Sequence, residues 1–390
     1  MPTTAFVSTY VPYRCGIATF TYDLATAAFP RQIVAIHPPN GPERYPAEVR
    51  HQIKKHDLAS YLSVAHDLNK SGVDAVSVQH EYGIWGGQDG SYVLDFVEAL
   101  RTPVVTTLHT VMRTPSPAQR RIVTALIKAS TATVVMSYAA ASLLERAYGA
   151  DASRVQVIPH GVPNLPLVEA DSIKPRLGLE GRQMILSFGL LGPGKGYEAA
   201  IAAMPAVVAA HPNALYVVLG ATHPELLLRE GEAYRERLVA TAESLGVADH
   251  VRFVDRFVDR VELGTWLEAA DVFVTPYPNL DQIVSGTLSY AMGAGKAVVS
   301  TPYAYARERL AEGRGILVTP GSTDSLADAL VRLLGDPELR RLYGHRAYEH
   351  TRSMVWSAVG AEYTRVFSRI AQPVARPADR RVRAYATASG

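Results

Sequence analysis

Cysteine is nearly absent. The 390 residues hold one, Cys15, so no intrachain disulfide can form and no thiolate zinc site can be assembled. Such sparing cysteine use fits a reducing compartment, and a cytoplasmic location is the expectation. An excess of charge of one sign is missing as well. Lys and Arg number 39 against 37 Asp and Glu, a formal +2 that is too small to predict nucleic-acid binding by phosphate neutralisation. No run approaches the ~18 apolar residues of a membrane span, and the start, MPTTAFVSTYVPYRCG, lacks the basic and apolar regions of a secretory signal. Membrane contact, if any, is expected to be weak and peripheral. What remains is a globular composition, 48% hydrophobic and 19% charged, in a chain longer than the ~250–300 residues at which single cores stop growing. Two domains follow from that length.

Short apolar runs alternate with helix-length segments. The first half holds TAFVST, QIVAIH, DAVSVQH, PVVTTLH, ATVVMS and VQVIPH; the second holds QMILSFG, ALYVVLGA, VRFVDR, DVFVTPY and AVVSTP. Strands without polar alternation, separated by helices, predict parallel sheets covered on both faces. The fold class is therefore α/β, with two doubly wound, Rossmann-like domains facing across a cleft. The expected division is a first domain over residues 1–165, a linker over the proline-interrupted 166–182, and a second domain over 183–352. A docking helix over 353–371 carries apolar residues at Val355, Val359, Tyr363, Val366 and Ile370, one face at helical spacing. The remainder, 372–390, holds four arginines and few large apolar residues and reads as a disordered basic tail.

Ligands of such sheets bind beyond the carboxyl ends of the strands, so the cleft is where chemistry is expected. In SFGLLGPGKGYEAAIAAM, a strand, a glycine-rich turn at Gly189 and Gly194, and a helix would present N–H groups and Lys195 to a phosphate. The bland alternative is a tight turn with a solvated lysine. Gly196 stands where a P-loop needs the Ser or Thr that ligates magnesium, which argues against a P-loop ATPase. The same strand, turn and helix logic applies to VSTYVPYRCGIATF, with Arg14 and the Gly16 amide directed into the cleft, or to an ordinary loop. In SVQHEYGIWGG, His80, Glu81, Tyr82 and Trp85 combine hydrogen-bonding groups with aromatic faces that suit a sugar ring, although His80 could equally satisfy a buried carbonyl. His109 stands at the end of the strand in VVTTLHT, where it could donate to a sugar hydroxyl or steer a proton. VIPHGV, with His160 and Gly161, reads as mainly structural.

The stretch DQIVSGTLSYAMGAGKAVVST contains no carboxylate between Gln282 and Thr301. A helix is expected to begin near Thr287, and the amides around Ser285, Gly286 and Thr287 could hold a donor phosphate. Tyr290 would lie one turn in. A serine-rich cap without ligand is the alternative.

The order of these motifs resembles the retaining GT-B glycosyltransferases of family 4, the group 1 transferases, over roughly residues 5–370. The resemblance rests on YVPYRCGIATF, TTLHT, VIPHGV, FGLLGPGKG, AADVFVTPY, SYAMGAGKAVVST and the late helix with Trp356 and Tyr363. It implies a donor nucleotide in the second domain, an acceptor approaching from the first, metal-independent transfer with retention, and no cofactor. Lys195 would neutralise the departing diphosphate, His109 would contact the donor sugar, and Gly16 would lie beside both substrates. The helix of Trp356 and Tyr363 would cross back to the first domain. Two departures stand out. The family's paired glutamates align with Gln282 and Tyr290, and its phosphate-binding arginine aligns with Leu190. Gln282 can still bond sugar hydroxyls, whereas Tyr290 cannot accept a ribose diol as a carboxylate does. Arg256, after VRFVD, is the candidate replacement cation.

The expected partners are thus a nucleoside-diphosphate sugar and a saccharide or glycoconjugate acceptor, with acceptor loops at 38–50 and 109–121. The competing readings are a sugar-nucleotide epimerase or hydrolase, using His80 and Glu81, and a non-catalytic nucleotide-sugar-binding protein.

Overall fold

The computed structural model describes residues 1–28 and 30–371; the expectation for 372–390 lies outside the described residues. Seven strands form the first sheet: β1 (Thr4–Ser8), β2 (Arg31–His37), β3 (Val49–Lys54), β4 (Ala75–His80), β5 (Val104–Leu108), β6 (Ala132–Val135) and β7 (Val155–Val157). Six form the second: β8 (Gln183–Phe188), β9 (Ala214–Leu219), β10 (Val251–Val254), β11 (Val272–Thr275), β12 (Ala297–Ser300) and β13 (Ile316–Leu317). Their spatial orders are β3-β2-β1-β4-β5-β6-β7 and β10-β9-β8-β11-β12-β13. Neighbouring strands run parallel, with Phe6 beside Ser77 in one sheet and Leu186 beside Phe273 in the other.

Successive side chains of a strand point to opposite faces, and here both faces are buried. On β1, Ala5 and Val7 enter one apolar cluster while Phe6 enters another; on β8, Ile185 parts from Met184 and Leu186 in the same way. Each sheet reverses its strand order at a switch point, between β1 and β4 and between β8 and β11, and both switch points open toward the cleft.

Two strands carry no apolar run in the sequence. β3, VRHQIK, is an edge strand whose only buried residue is Ile53, and β13 contributes two residues. Edge positions need little apolar surface, which is why composition did not mark them.

Segment 166–182 is fastened to the second sheet. Ile173 and Leu179 join the cluster of Met184, Leu186 and Phe273. Between them Lys174, 3% exposed, pairs with Asp271 at 2.7 Å, and Asp271 also accepts the Met184 amide at 2.7 Å. The last helix, Trp356–Ala371, lies on the first domain. Val359, Tyr363, Val366 and Phe367 pack among Phe6, Phe20 and Leu24, and the Tyr363 hydroxyl bonds Thr107 at 3.0 Å. Of the apolar face expected there, Val355 and Ile370 are only half-buried, and Phe367 is an addition. No helix among the described residues is long and apolar enough to cross a membrane.

Removing one partner of a buried ion pair strands the other charge. In Lys174→Ala, Asp271 keeps only more distant cations, Arg340 at 3.8 Å and Lys296. The unfolding free energy from denaturant titration is expected to fall by about 3–5 kcal/mol; a loss under about 1 kcal/mol would show that the pair does not fasten this segment.

Candidate functional site

Between the sheets lies a cleft of two connected lobes, of about 800 and about 580 Å³. Gly16, Phe20, His160, Gly189, Gly286 and Thr287 line both. Two helix N-termini meet at this junction. Helix Gly16–Ala27 is capped by Cys15, whose Sγ accepts the Ala18 amide at 3.3 Å, and a Cβ on Gly16 would meet nothing within 4 Å. Helix Gly286–Gly293 is capped by Ser285, whose Oγ accepts the Leu288 amide at 3.2 Å. It starts one residue before the expected Thr287. First-turn amides have no intrahelical acceptor, so those of Gly286 and Thr287 are available to an anion. A Cβ at Gly286 would fall 2.8 Å from His160 Nε2, so only glycine admits this approach of the two domains. His160 thus faces the cleft, in addition to shaping the exit from the first domain.

Lys195 lines the larger lobe. Its Nζ lies 4.7 Å from the centroid of the Tyr277 ring, the Tyr277 hydroxyl bonds Thr287 Oγ1 at 2.8 Å, and Thr287 bonds Ser285 Oγ at 3.1 Å. The cation and the helix terminus are therefore coupled through one chain of contacts. Gly196, at φ +72°, has no room for a Cβ, which would fall 2.0 Å from the Pro276 carbonyl oxygen. Gly194, at φ +92°, shapes the turn but lines neither lobe.

The larger lobe is the more polar of the two. His109, 6% exposed, bonds Gln79 Oε1 through Nε2 at 2.9 Å, and Gln79 donates to Ser77 at 3.1 Å. The amide oxygen can only accept, so Nε2 carries the proton and Nδ1 is the remaining acceptor. The ring is thus arranged to accept from a sugar hydroxyl, the reverse of the expected donation. Burial lowers its pKa to about 3, so it is neutral near pH 7. Phe20 packs edge-on against His109, His160 and Trp356 with centroids 4.7 to 5.2 Å away. Glu81 also lines this lobe; its oxygens accept the Tyr82 amide at 3.0 Å and the Thr110 hydroxyl at 2.5 Å. Burial pushes its carboxyl pKa up. Gln282 donates to the Val284 carbonyl at 2.9 Å, and its own side-chain oxygen has no protein partner among the described residues.

Several expected residues lie elsewhere. Arg14 is exposed and lines neither lobe. His80 is fully buried, with no partner for either ring nitrogen among the described residues, and packs edge-on to Tyr82 at 5.0 Å. Tyr82 and Trp85 belong to the first domain's apolar cluster; the Trp85 indole donates to the Gln79 carbonyl at 3.0 Å. Strand alternation is the reason. Gln79 sends its side chain to His109, so its neighbour His80 points the other way. The aromatic residues anchor the loop and leave Glu81 to the cleft. Arg256 reaches the smaller lobe, but Glu262 takes its guanidinium in a two-pronged pair, so it is not a free replacement cation.

Tyr290 has the least expected role. Its hydroxyl donates across the domain interface to Asp23 Oδ2 at 3.0 Å, and Arg260 pairs with the other oxygen of Asp23. A second interdomain pair, Arg113 with Asp281 at 3.0 Å, spans the mouth of the polar lobe. Neither pairing has a sequence signal, because each partner comes from a different domain.

Residues 15–164 match the family described as Glycosyltransferase Family 4, and residues 169–350 match Glycosyl transferases group 1. A phosphatidyl-myo-inositol mannosyltransferase of Mycolicibacterium smegmatis is 28% identical over 70% of this chain and 67% of its own. A D-inositol 3-phosphate glycosyltransferase of Catenulispora acidiphila is 27% identical over 81% and 77%. Among solved structures, Anabaena HepE in complex with UDP and glucose superposes with a TM-score of 0.77 at 16% identity, covering 95% of this chain and 100% of that one. Sucrose-phosphate synthase from Thermosynechococcus elongatus gives 0.77 at 18%, covering 95% and 99%. Two abutting matches over most of the sequence, on the GT-B arrangement of two facing parallel sheets, make this chain a member of the family 4 glycosyltransferases.

Proposed function

We propose that this glycosyltransferase moves a hexose-type sugar from a nucleoside diphosphate sugar to a hydroxyl of a saccharide or glycoconjugate, with retained anomeric configuration and without a metal ion. The observation that carries this reading is the larger lobe, which Lys195 and the first residues of helix Gly286–Gly293 both line and in which Tyr277 touches Lys195 and bonds Thr287. HepE, solved with UDP and glucose, supports a nucleotide donor by its likeness of fold.

In the proposed step the bond from the anomeric carbon to the diphosphate oxygen breaks first. Negative charge grows on the diphosphate, where Lys195 and the first-turn amides stabilise it without having to reorganise. The acceptor oxygen then bonds the anomeric carbon on the face the diphosphate leaves, and its proton passes to a departing phosphate oxygen. No side chain is required as base. His109 Nδ1 and the Gln282 oxygen hold sugar hydroxyls, and Glu81 orients the acceptor.

A panel of nucleotide sugars followed by thermal shift ranks donors before an acceptor is known, because a ligand that binds only the folded protein stabilises it. Release of nucleoside diphosphate separates transfer from binding, and product analysis without acceptor separates it from hydrolysis or epimerisation. Lys195→Ala is expected to lower turnover by about 10²–10³-fold while melting normally; unchanged turnover would remove the diphosphate role.

The pH profile gives a second check. The His109 pKa of about 3 leaves the ring neutral throughout the working range, so it contributes no limb to kcat/KM from about pH 5 to about pH 8. A limb near the ordinary histidine pKa of about 6.5 that disappears in His109→Gln would overturn that role.

A further inference from the structure

Gln282 stands on a loop, residues 276–285, that is neither helix nor strand and runs from β11 to helix Gly286–Gly293. Its own bonds stay within the second domain: the Tyr305 amide donates to the Gln282 carbonyl at 3.0 Å, and its side chain donates to the Val284 carbonyl. The residues on either side of it are held by the first domain. Before it, Asp281 pairs with Arg113. After it, Ile283, 5% exposed, buries its side chain in the apolar cluster of Leu108, Val111, Val135 and Leu144, whose other buried members among the described residues all come from the first domain. The Ile283 carbonyl accepts the hydroxyl of the fully buried Ser137 at 2.8 Å. The contact continues to both sides of Ser137: Arg309 donates to the Met136 carbonyl at 2.9 Å, and Glu308 accepts the Tyr138 and Ala139 amides at 2.9 and 3.3 Å.

A side chain on irregular backbone holds a ligand well only when that backbone is held first, because the entropy of ordering the loop otherwise counts against binding. Ile283 supplies that hold, and its apolar surface leaves water only when the first domain is docked on it. The groups that face the diphosphate are fixed differently. Lys195 and the first turn of helix Gly286–Gly293 are held by Tyr277 and Ser285, inside the second domain.

We propose that Ile283 is a positioning residue for the donor sugar: seated in the first domain, it fixes Gln282, so that the hold on the hexose depends on the docked first domain while the hold of the second domain on the diphosphate does not. This rests on the nucleotide-sugar reading above and divides the work within that site. With Ile283 unseated, the diphosphate stays bound and the hexose loses the Gln282 contact. Ser137 and Arg113 act in the same direction, since each fastens a neighbour of Gln282 to the first domain.

The test is calorimetric titration with matched pairs, UDP and UDP-glucose, GDP and GDP-mannose, ADP and ADP-glucose, the pair that the wild-type protein binds best being carried to the variants. In Ile283→Ala, checked for an intact melt, the nucleotide sugar is expected to bind weaker by about fivefold or more, the worth of one neutral hydrogen bond, and the diphosphate to stay within about twofold of wild type. Ile283→Val, which keeps a branched side chain in the cluster, is expected to restore the affinity for the nucleotide sugar. Because Ile283 acts through Gln282, adding Ile283→Ala to Gln282→Ala is expected to cost no further affinity. Ser137→Ala frees the Ile283 carbonyl and carries the same selective expectation where Ile283→Ala fails to melt cooperatively. An equal loss for both ligands, a loss under about fivefold for the nucleotide sugar, or losses that add in the double variant would overturn the proposal and leave the nucleotide reading standing. No binding of any of these ligands by the wild-type protein at millimolar concentration would overturn that reading and this proposal with it.

Discussion

A parallel sheet has to bury both of its faces, and the rest of this molecule follows from that requirement. Parallel neighbours cannot be joined by a tight turn, so the connections within each sheet cross over it, nearly all of them as helices, and return to the same edge. Strand carboxyl ends and helix N-termini are thereby gathered on one side. When two such sheets face each other, those sides face each other too. The open amides of helices Gly16–Ala27 and Gly286–Gly293 then meet in one cleft, though they lie far apart in sequence. An arrangement of open amides suited to an anion is a property of the topology before any charged side chain is considered.

Against that background, the distribution of charge around the cleft decides what a ligand can meet. Arg113, Arg256 and Arg260 each hold a carboxylate, and Lys55 donates to the Gly83 carbonyl at 2.7 Å. Lys195, half-buried, has an aromatic ring as its partner, a contact of about 0.5–2 kcal/mol. It can be drawn away from that ring at little cost. Carboxylates follow the same pattern: Asp23 and Asp281 are used to join the domains, and Glu81 faces the cavity with its charge disfavoured by burial.

Much of this was legible beforehand. The eleven apolar runs all became strands, because strands buried on both faces need continuous apolar sequence. Lys195, His109, Gln282, Gly16 and the Ser285 cap were legible by position, since a residue at the end of a parallel strand or the start of the next helix has to lie at the cleft. Where the reading failed, it failed on direction. His80, Tyr82 and Trp85 sit within six residues of Glu81 and Gln79, yet strand alternation and core packing turn them inward. Arg256 read as a free cation only until Glu262, in the first turn of the next helix, was brought against it.

The sequence by itself determined the class of fold, the two-domain division of its apolar runs, and the places where phosphate and sugar chemistry could be built. These depend on periodicity, glycine and chain order, which are local. The tertiary structure decided which polar groups remain available. That depends on pairing between residues remote in sequence, as when Asp23 of the first domain takes the Tyr290 hydroxyl and the Arg260 guanidinium of the second, and a buried polar atom satisfied by the protein has nothing left to offer a ligand.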